Sequence, residues 1–391
     1  MHFKISQRLE RLPPYLFAEI DRVKRRLRAE GRDLIDLGVG DPDAPTPEHI
    51  IEALERAARD PENHRYALDA GMPALREAIA GWYLRRFGVR LDPAAEVLPL
   101  IGSKEGIGHF PLAFVNPGEA VLVPEPGYPV YGAGTIFAGG EPIHMPLKRE
   151  NGFLPVLSDI SPDQARRARL LWINYPNNPT AAICDLDFFA EVAAFAEKNG
   201  IIVAHDAAYT ELAFDGLRPP SFLAAEGARE VGIEFHSLSK TYNMTGWRIS
   251  FAVGNSELIS GLAKIKSNLD SGIFQAVQVA GIAALNGPQD YLAKLLKMYR
   301  RRRDLLVGGL RGLGWDVETP QATFYVWCRV PPGQTSTGFT ALLLEEAGIV
   351  TTPGVGLGPS GEGYVRWALT RPEEEIAQAL ERLSRLKLDW D

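Results

Sequence analysis

Residues 170–206 read LLWINYPNNPTAAICDLDFFAEVAAFAEKNGIIVAHD, and this stretch decides the fold. Two apolar runs, 170–174 and 201–206, flank a helical pattern that begins at Asp185 and ends before Gly200. An aspartate before a helix and a glycine after it are common capping residues. Apolar runs without polar alternation are typical of strands buried on both faces. The stretch therefore predicts two parallel strands joined by a helix.

The same alternation of strands and helices continues on both sides of this stretch. Further apolar runs are AVLVP at 120–124 and WRISFAVG at 247–254. A rhythm of this kind, held from near residue 95 to residue 255, predicts parallel strands joined by helices. We therefore expect an α/β fold in which a mainly parallel central sheet is flanked by helices.

The chain has 391 residues, whereas a single hydrophobic core rarely grows beyond roughly 250 to 300 residues, so we expect two domains. Beyond residue 255 the pattern changes to long helices and short strands, which predicts a smaller α+β domain. The strand near 34–38 has no βαβ partner of its own, and we assign it to that smaller domain. The expected division is a large domain over 49–288 and a small domain, built from both termini, over 1–48 and 289–391.

Composition and charge exclude several classes of protein. The chain is 46% hydrophobic and 23% charged, with a net charge of −7. A nucleic-acid partner is not expected, because phosphate binding needs a basic face. The sequence predicts no membrane-spanning helix, and its charged N-terminus is not typical of a signal peptide. The two cysteines lie far apart in the sequence, which predicts neither a disulfide framework nor a zinc site and fits a cytoplasmic protein.

The segment SLSKTYNMTGWRISFAVG at 237–254 carries the clearest indication of chemistry. Lys240 lies between two apolar strands, close to the hydroxyls of Ser237 and Ser239 and the guanidinium of Arg248. Hydroxyls and a guanidinium suit a phosphate group, and a lysine amine can act as a nucleophile. Together they predict a pyridoxal-phosphate pocket with Lys240 as the lysine that forms the Schiff base. A lysine without such neighbours would more often be a solvated surface charge.

A pyridoxal-phosphate pocket also needs an acid opposite the ring nitrogen, because the protonated ring withdraws electrons from the substrate. Asp206 directly follows the apolar run 201–205, at the carboxyl end of a strand where α/β sheets place their ligands. Tyr209, three residues later, is a candidate donor to the phenolate oxygen of the cofactor. A helix cap is the alternative explanation for Asp206 taken alone.

Two further loops are expected to complete the pocket. In GSKEGIGHF at 102–110, Ser103 and Lys104 begin a helix whose N-terminus would attract phosphate. An ordinary capped helix would leave the same pattern. In NYPNNPT at 174–180, Asn178 follows an apolar strand and is a second candidate donor to the phenolate oxygen. The alternative there is a turn without a function.

Several motifs follow one another along the chain: G-S-K, P-x-x-Y, N-N-P-T, D-x-x-Y, S-x-S-K and G-W-R. This order resembles the class I and II aminotransferases, which are pyridoxal-phosphate enzymes of fold type I, over nearly the whole chain. Within that class, FVNPGEAVLVPEPGYPVY, KSNLDSGIFQAVQVAGIAAL and GPSGEGYVRWALT are similar to the LL-diaminopimelate aminotransferase family. Ala181 and Ser250 depart from the wider pattern, in which glycine is frequent at both positions.

The resemblance implies functions for residues that the motifs alone do not single out. Tyr128 in EPGYPVY resembles the aromatic residue that stacks on the cofactor ring. Arg366 in GYVRWAL resembles the arginine that binds the substrate α-carboxylate, a bidentate contact suited to a guanidinium. Tyr66 in HRYALDAG resembles the tyrosine that reaches the phosphate in the neighbouring subunit, which implies a homodimer with shared sites. The other substrate contacts that the resemblance implies are Tyr15, Gly40, Lys104, Tyr128 and Asn178.

The implied reaction is amino transfer between LL-2,6-diaminopimelate and 2-oxoglutarate, a step of lysine biosynthesis. The alternatives within the class are a transaminase of aspartate, alanine or aromatic amino acids, and a lyase. A non-catalytic regulator would need an added DNA-binding module, for which the segment before residue 34 is too short. The presence of Lys240, Asp206 and Arg248 argues against an inactive homologue.

One further motif and the histidines predict no additional site. Residues 356–361, GLGPSG, match the G-x-G-x-x-G pattern, but they follow no buried strand of a βαβ unit. A dinucleotide site is therefore not expected there. The histidines lack an HExxH or similar spacing, so no metal site is expected either.

Overall fold

The computed structural model describes residues 3–13, 16–67, 70–386 and 388, with only the backbone described for 16–20. Tyr15 lies outside these residues. The strands are β1 (Ile35–Asp36), β2 (Val97–Leu100), β3 (Ala120–Glu125), β4 (Glu141–Pro146), β5 (Ala168–Asn174), β6 (Ile202–Asp206), β7 (Gly232–Ser237), β8 (Ser250–Gly254), β9 (Tyr325–Arg329), β10 (Ile349–Val350), β11 (Thr352–Pro353) and β12 (Tyr364–Ala368). The α-helices are α1 (Gln7–Glu10), α2 (Leu16–Ala29), α3 (Glu48–Ala58), α4 (Pro73–Phe87), α5 (Ser103–Phe114), α6 (Val130–Phe137), α7 (Pro162–Arg167), α8 (Leu186–Asn199), α9 (Ala228–Val231), α10 (Leu238–Thr241), α11 (Ser256–Leu269), α12 (Gln275–Asn286), α13 (Asp290–Gly312), α14 (Ser336–Ala347) and α15 (Glu373–Ser384).

In the described part of the chain, the central sheet has seven strands in the order β2-β8-β7-β6-β5-β3-β4. Strands β3 to β7 pair in parallel, which confirms the predicted mainly parallel sheet. The prediction of a parallel strand within 247–254 was wrong, because β8 runs antiparallel to both β7 and β2. Only residues 238–249 join β7 to β8, and the four-residue α10 within them is too short to carry the chain back along the sheet.

Helix α8 forms as its capping residues predict. The Asp185 side chain accepts a hydrogen bond from the Phe188 N–H at its start, and Gly200 takes up a left-handed φ of 67° at its end. The side chains of Phe189 and Val192 on its inner face are completely buried in the core cluster that covers one face of the sheet. Local capping and the burial of this apolar face therefore specify the same helix.

The N-terminal and C-terminal parts of the chain pack together. Strand β1 pairs in parallel with β10, so that Ile35 lies opposite Ile349. Strands β11, β12 and β9 form a separate antiparallel sheet, and one hydrophobic cluster joins Leu37 to Val326 and Trp367. On these contacts we propose the division into a large domain over 49–288 and a small domain over 1–48 and 289–391. No helix in the described parts of the chain is long and apolar enough to cross a lipid bilayer.

The carboxyl ends of β5, β6 and β7 lie side by side in the middle of the sheet. Asn174 at the end of β5 lies opposite Asp206 at the end of β6, and β7 ends at Ser237 on the other side of β6. Residues that follow these strands therefore meet at one edge of the sheet, which is where open α/β sheets bind ligands.

Candidate active site

A cavity of about 470 Å³ lies at this edge of the sheet. Residues from widely separated parts of the chain line it. Those predicted from the sequence are Gly40, Ser103, Lys104, Tyr128, Asn178, Asp206, Tyr209, Ser237, Ser239, Lys240, Arg248 and Arg366. The fold thus brings these side chains into one cavity, while their individual roles stay predictions.

Lys240 lies in α10, the single helical turn that follows β7. Ser237, the last residue of β7, caps this turn because its hydroxyl accepts a hydrogen bond from the Ser239 N–H at 3.2 Å. The Lys240 Nζ donates a hydrogen bond to the carbonyl oxygen of Gly40 at 2.9 Å. The short turn therefore directs the lysine amine across the cavity toward the loop that follows β1.

The surroundings of Lys240 favour its neutral form. Burial lowers the pKa of Lys240 to about 8, with Asp41 acting in the opposite direction and the guanidinium groups of Arg248 and Arg366 adding to the decrease. An amine must be neutral to act as a nucleophile or as a base. Near pH 8 a large fraction of Lys240 is in that form.

Asp206 is buried at the end of β6. Its Oδ2 accepts a hydrogen bond from the Tyr131 hydroxyl at 2.8 Å, and its Oδ1 accepts one from the Ala208 N–H at 3.3 Å. Burial raises the pKa of Asp206, whereas the hydrogen bond from Tyr131 and the nearby His205 and His236 act to lower it. The carboxylate therefore has directed donors that support its ionised form in a buried position.

The wall formed by the start of α5 and the loop before β8 is suited to an anion. Helix α5 begins at Ser103, and the first N–H groups of a helix have no partner within it. Gly102 precedes it with φ 78°, and a Cβ at this position would overlap the Arg248 guanidinium. Arg248 Nη1 in turn donates to the carbonyl oxygen of Thr245 at 2.9 Å. Glycine at 102 thus leaves the space that the guanidinium occupies beside the helix start.

These groups fit pyridoxal phosphate. A helix N-terminus, a guanidinium and the hydroxyls of the lining serines suit the phosphate ester. The carboxylate of Asp206 suits a protonated ring nitrogen, and the amine of Lys240 suits the aldehyde. The set of donors and acceptors in the cavity therefore matches the three polar parts of this cofactor.

Arg366 in β12 forms the opposite side of the cavity. Its Nη1 donates to Asn178 Oδ1 at 2.8 Å and its Nη2 donates to the carbonyl oxygen of Gly38 at 2.9 Å. The guanidinium carbon lies 4.2 Å from the centre of the Tyr325 ring. Its Nε is buried and has no hydrogen-bond partner among the described residues. Arg366 lines the cavity, and a guanidinium in that position suits a carboxylate.

Comparison with known proteins assigns the chain to a family. Residues 32–383 match the model of aminotransferase class I and II. The chain belongs to this family. The predicted fold type, enzyme class and cofactor are thereby confirmed: it is a pyridoxal-phosphate-dependent aminotransferase, with amino acids and 2-oxo acids as its substrates.

Two relatives of this aminotransferase match it over almost the full length. The LL-diaminopimelate aminotransferase of Syntrophobacter fumaroxidans is 59% identical over 99% of this chain and 100% of that protein. The protein of the same name from Desulforudis audaxviator is 58% identical over 98% of each. Among solved structures, substrate-bound BacF from Bacillus subtilis is 40% identical, with a TM-score of 0.95 over 100% of this chain and 99% of that one.

Three residues of the aminotransferase site were missed by the sequence analysis. Tyr131, which bonds Asp206, stands three residues after Tyr128, so the spacing of one helical turn was an available signal. Asn174 ends β5 and bonds the Asp206 carbonyl oxygen at 2.7 Å, and its place at the end of an apolar strand was a second signal. Tyr325, whose hydroxyl lies 3.2 Å from that of Tyr209, stands within an apolar run that gives no such signal.

One predicted residue is not among the described residues that line the cavity of the aminotransferase. Tyr66 is 88% exposed on the surface of the single chain. The predicted role of Tyr66 in a neighbouring subunit is compatible with this exposure but is not tested by it. Tyr15, predicted to contact substrate, lies outside the described residues, so that prediction also stays open.

Proposed function

We propose that this aminotransferase moves an amino group between LL-2,6-diaminopimelate and 2-oxoglutarate. The observation that carries the proposal is the 53–59% identity, over nearly the whole chain, to several proteins named LL-diaminopimelate aminotransferase. The cavity supports it, because Lys104 and Arg366 both line the same space. Two cations suit a substrate with a carboxylate at each end.

The residues that would hold the cofactor come from the strand ends and the start of α5. When bound, pyridoxal phosphate withdraws electrons from the α-carbon of the substrate. Asp206 would face its ring nitrogen, with Asn178 and Tyr209 at its phenolate oxygen and Tyr128 against the ring face. The groups proposed for its phosphate are the backbone N–H of Lys104 at the start of α5 and the side chains of Ser103, Ser237, Ser239 and Arg248.

Lys240 would act as the base of the reaction. Its Nζ would remove the proton from the substrate α-carbon, for which the amine must be neutral. The lowered pKa, about 8, supplies that form at moderate pH. Arg366 would bind the α-carboxylate with its planar guanidinium and so hold the α-carbon within reach of Lys240.

We also propose a homodimer in which Tyr66 contributes to the site of the partner subunit. Tyr66 and Phe274 are exposed aromatic side chains, at 88% and 47%. Their segments lie close together, because Gln275 Nε2 donates to the carbonyl oxygen of Arg65 at 3.4 Å. Exposed aromatic groups that lie together often mark an interface. Sedimentation analysis tests this, and a fully active monomer would contradict it.

For a biosynthetic enzyme of this family we propose a cytoplasmic location.

The substrate proposal is tested by a transamination assay on the cofactor-loaded protein. The donors are LL-diaminopimelate, aspartate, alanine and phenylalanine, each with 2-oxoglutarate as acceptor. We expect kcat/KM to be largest with LL-diaminopimelate as the donor. A larger kcat/KM for one of the other donors would leave the enzyme class unchanged and show that the substrate assignment is wrong. The meso isomer of diaminopimelate is the matched control, since it changes only the configuration at one end.

A further inference from the structure

Two residues of the candidate site are preceded by buried histidines. His205 precedes Asp206 at the end of β6, and His236 precedes Ser237 at the end of the neighbouring β7. Both histidines are almost fully buried, since the exposed fraction is 0% for His205 and 3% for His236. Buried histidines need partners for their ring nitrogens, and here both find the same partner.

That partner is Glu234, which is completely buried in β7. Its Oε2 lies 3.1 Å from His205 Nδ1 and its Oε1 lies 2.5 Å from His236 Nε2. Tyr83 in α4 donates a hydrogen bond to Oε1 at 2.9 Å, and the Ser221 hydroxyl donates to Oε2 at 3.1 Å. The Phe222 N–H also donates to Oε2, at 2.8 Å. One buried carboxylate thus joins two sheet strands, a helix and a loop.

This cluster carries charge. Burial acts to raise the pKa of Glu234, but the proximity of His236 and hydrogen bonds with both histidines lower it well below its usual range. An ionised carboxylate in a buried position needs hydrogen-bond partners, and the two imidazoles, two hydroxyls and one backbone N–H surround that of Glu234. Arg229 acts electrostatically on Tyr83 of this cluster, and Glu234 in turn acts on the thiol of Cys184.

The charge of the cluster also acts on Asp206. His205 and His236 both favour the ionised form of Asp206, which burial alone would disfavour. The same two histidines fix the last residues of β6 and β7, because each is tied to Glu234. The backbone of His205 is adjacent to that of Asp206, and the backbone of His236 to that of Ser237. Glu234 is therefore connected to the cofactor pocket both through the backbone of β6 and β7 and through electrostatic interactions.

We propose that Glu234 is a positioning residue for cofactor binding: it holds His205 and His236 so that they place Asp206 and Ser237 at adjacent strand ends and keep both imidazoles beside Asp206. Glu234, His205 and His236 do not line the cavity. Their effect is therefore exerted through Asp206 and Ser237, which follow the two histidines in the chain. The inference rests on the proposed role of Asp206 and is independent of which amino acid is the substrate.

The test compares Glu234→Gln with Tyr83→Phe in the purified full-length protein. The first replacement removes the charge and keeps the shape, whereas the second removes one neutral donor and keeps the charges. For Glu234→Gln we expect about a tenfold increase in the dissociation constant for pyridoxal phosphate, equal to about one pKa unit of lost electrostatic support. We expect the pH midpoint of the visible absorbance of the bound cofactor to rise by about one unit, because a less charged Asp206 leaves the ring less positive. Tyr83→Phe is expected to move neither quantity.

Three outcomes decide the inference. If Glu234→Gln lowers only the melting temperature and leaves both cofactor quantities unchanged, Glu234 is structural and the inference is overturned. If Asp206→Asn, measured beside it, also leaves the cofactor quantities unchanged, it is the assignment of Asp206 that fails. If Glu234→Gln does not fold, His236→Asn serves in its place, since it leaves Glu234 with its other donors and is expected to shift both quantities in the same direction.

Discussion

The two walls of the candidate active-site cavity are built in different ways. The wall that we propose binds the cofactor, called the cofactor wall, is formed by Asn178, Asp206, Ser237 and Lys240 at or just after the ends of neighbouring strands of one sheet. The wall that we propose binds the substrate, called the substrate wall, is formed by Gly40, Tyr325 and Arg366 from three segments that are far apart in sequence. The topology of the central sheet places the first set of residues, whereas the second depends on how the loop after β1 and the paired strands β9 and β12 pack beside that sheet. We therefore expect changes on the cofactor wall to abolish chemistry and changes on the substrate wall to weaken substrate binding.

The largest effect is expected on the cofactor wall, for Lys240→Ala. Loss of the amine removes both the attachment point of the cofactor and the proposed base, so kcat should fall by about 10⁴-fold. Steady-state transamination assays measure this. The exposed lysine variant Lys198→Ala is the matched control and should retain full activity. Retention of more than a few per cent of kcat in Lys240→Ala would exclude Lys240 as the base.

A smaller effect is expected on the substrate wall, for Arg366→Lys. A lysine keeps the charge but loses the planar pair of donors, at a cost of about 2 kcal/mol, so kcat/KM should fall by about 30-fold. Most of the change should lie in KM, because the chemistry of the cofactor wall is untouched. Arg329→Lys is the control, since Arg329 lies on the neighbouring strand β9 and does not line this cavity. A fall confined to kcat would contradict the assignment of Arg366 to substrate binding.

The smallest effect is expected for Tyr131→Phe, which tests whether the cofactor wall extends beyond the predicted motifs. The hydrogen bond from Tyr131 lowers the pKa of Asp206, so its removal should raise that pKa. The acidic limb of the pH–activity profile should move to higher pH, because Asp206 must be ionised to support the cofactor. Affinity for pyridoxal phosphate should fall about tenfold, as for a hydrogen bond to a charged group. If the acidic limb of the profile does not move, Tyr131 does not support the ionised form of Asp206.

The same contrast explains which parts of the fold and the site are predictable from the sequence. Asp206 ends an apolar strand and Lys240 lies three residues after the end of β7, so residue type and position along the chain together indicate their chemistry. The parallel sheet follows from its continuous apolar runs, but the direction of β8 does not, because an apolar run contains no information on strand direction. Tyr325 and Arg366 lie within short strands where nothing local marks them. Arg366 is identified through the family resemblance, and Tyr325 only through its contacts in the fold.

The cluster around Glu234 could not be predicted from the sequence, for a related reason. The spacing of His205, Glu234 and His236 matches no recurrent motif, and only the register of β6 against β7 brings His205 opposite Glu234. Interactions between strands that are neighbours in the sheet depend on the register of the two strands, which local patterns do not specify. Polar networks behind a site are therefore visible only once the fold is known.

Covalent binding of pyridoxal phosphate by Lys240 can be tested by chemical fixation. The cofactor-loaded protein is reduced with borohydride and digested, and the modified peptide is identified by mass spectrometry. We expect the cofactor to be attached to Lys240 in the segment SLSKTYNMTGWR and Lys240→Ala to carry none. Attachment at another lysine of the cavity, Lys104, or the absence of any attached cofactor would contradict it.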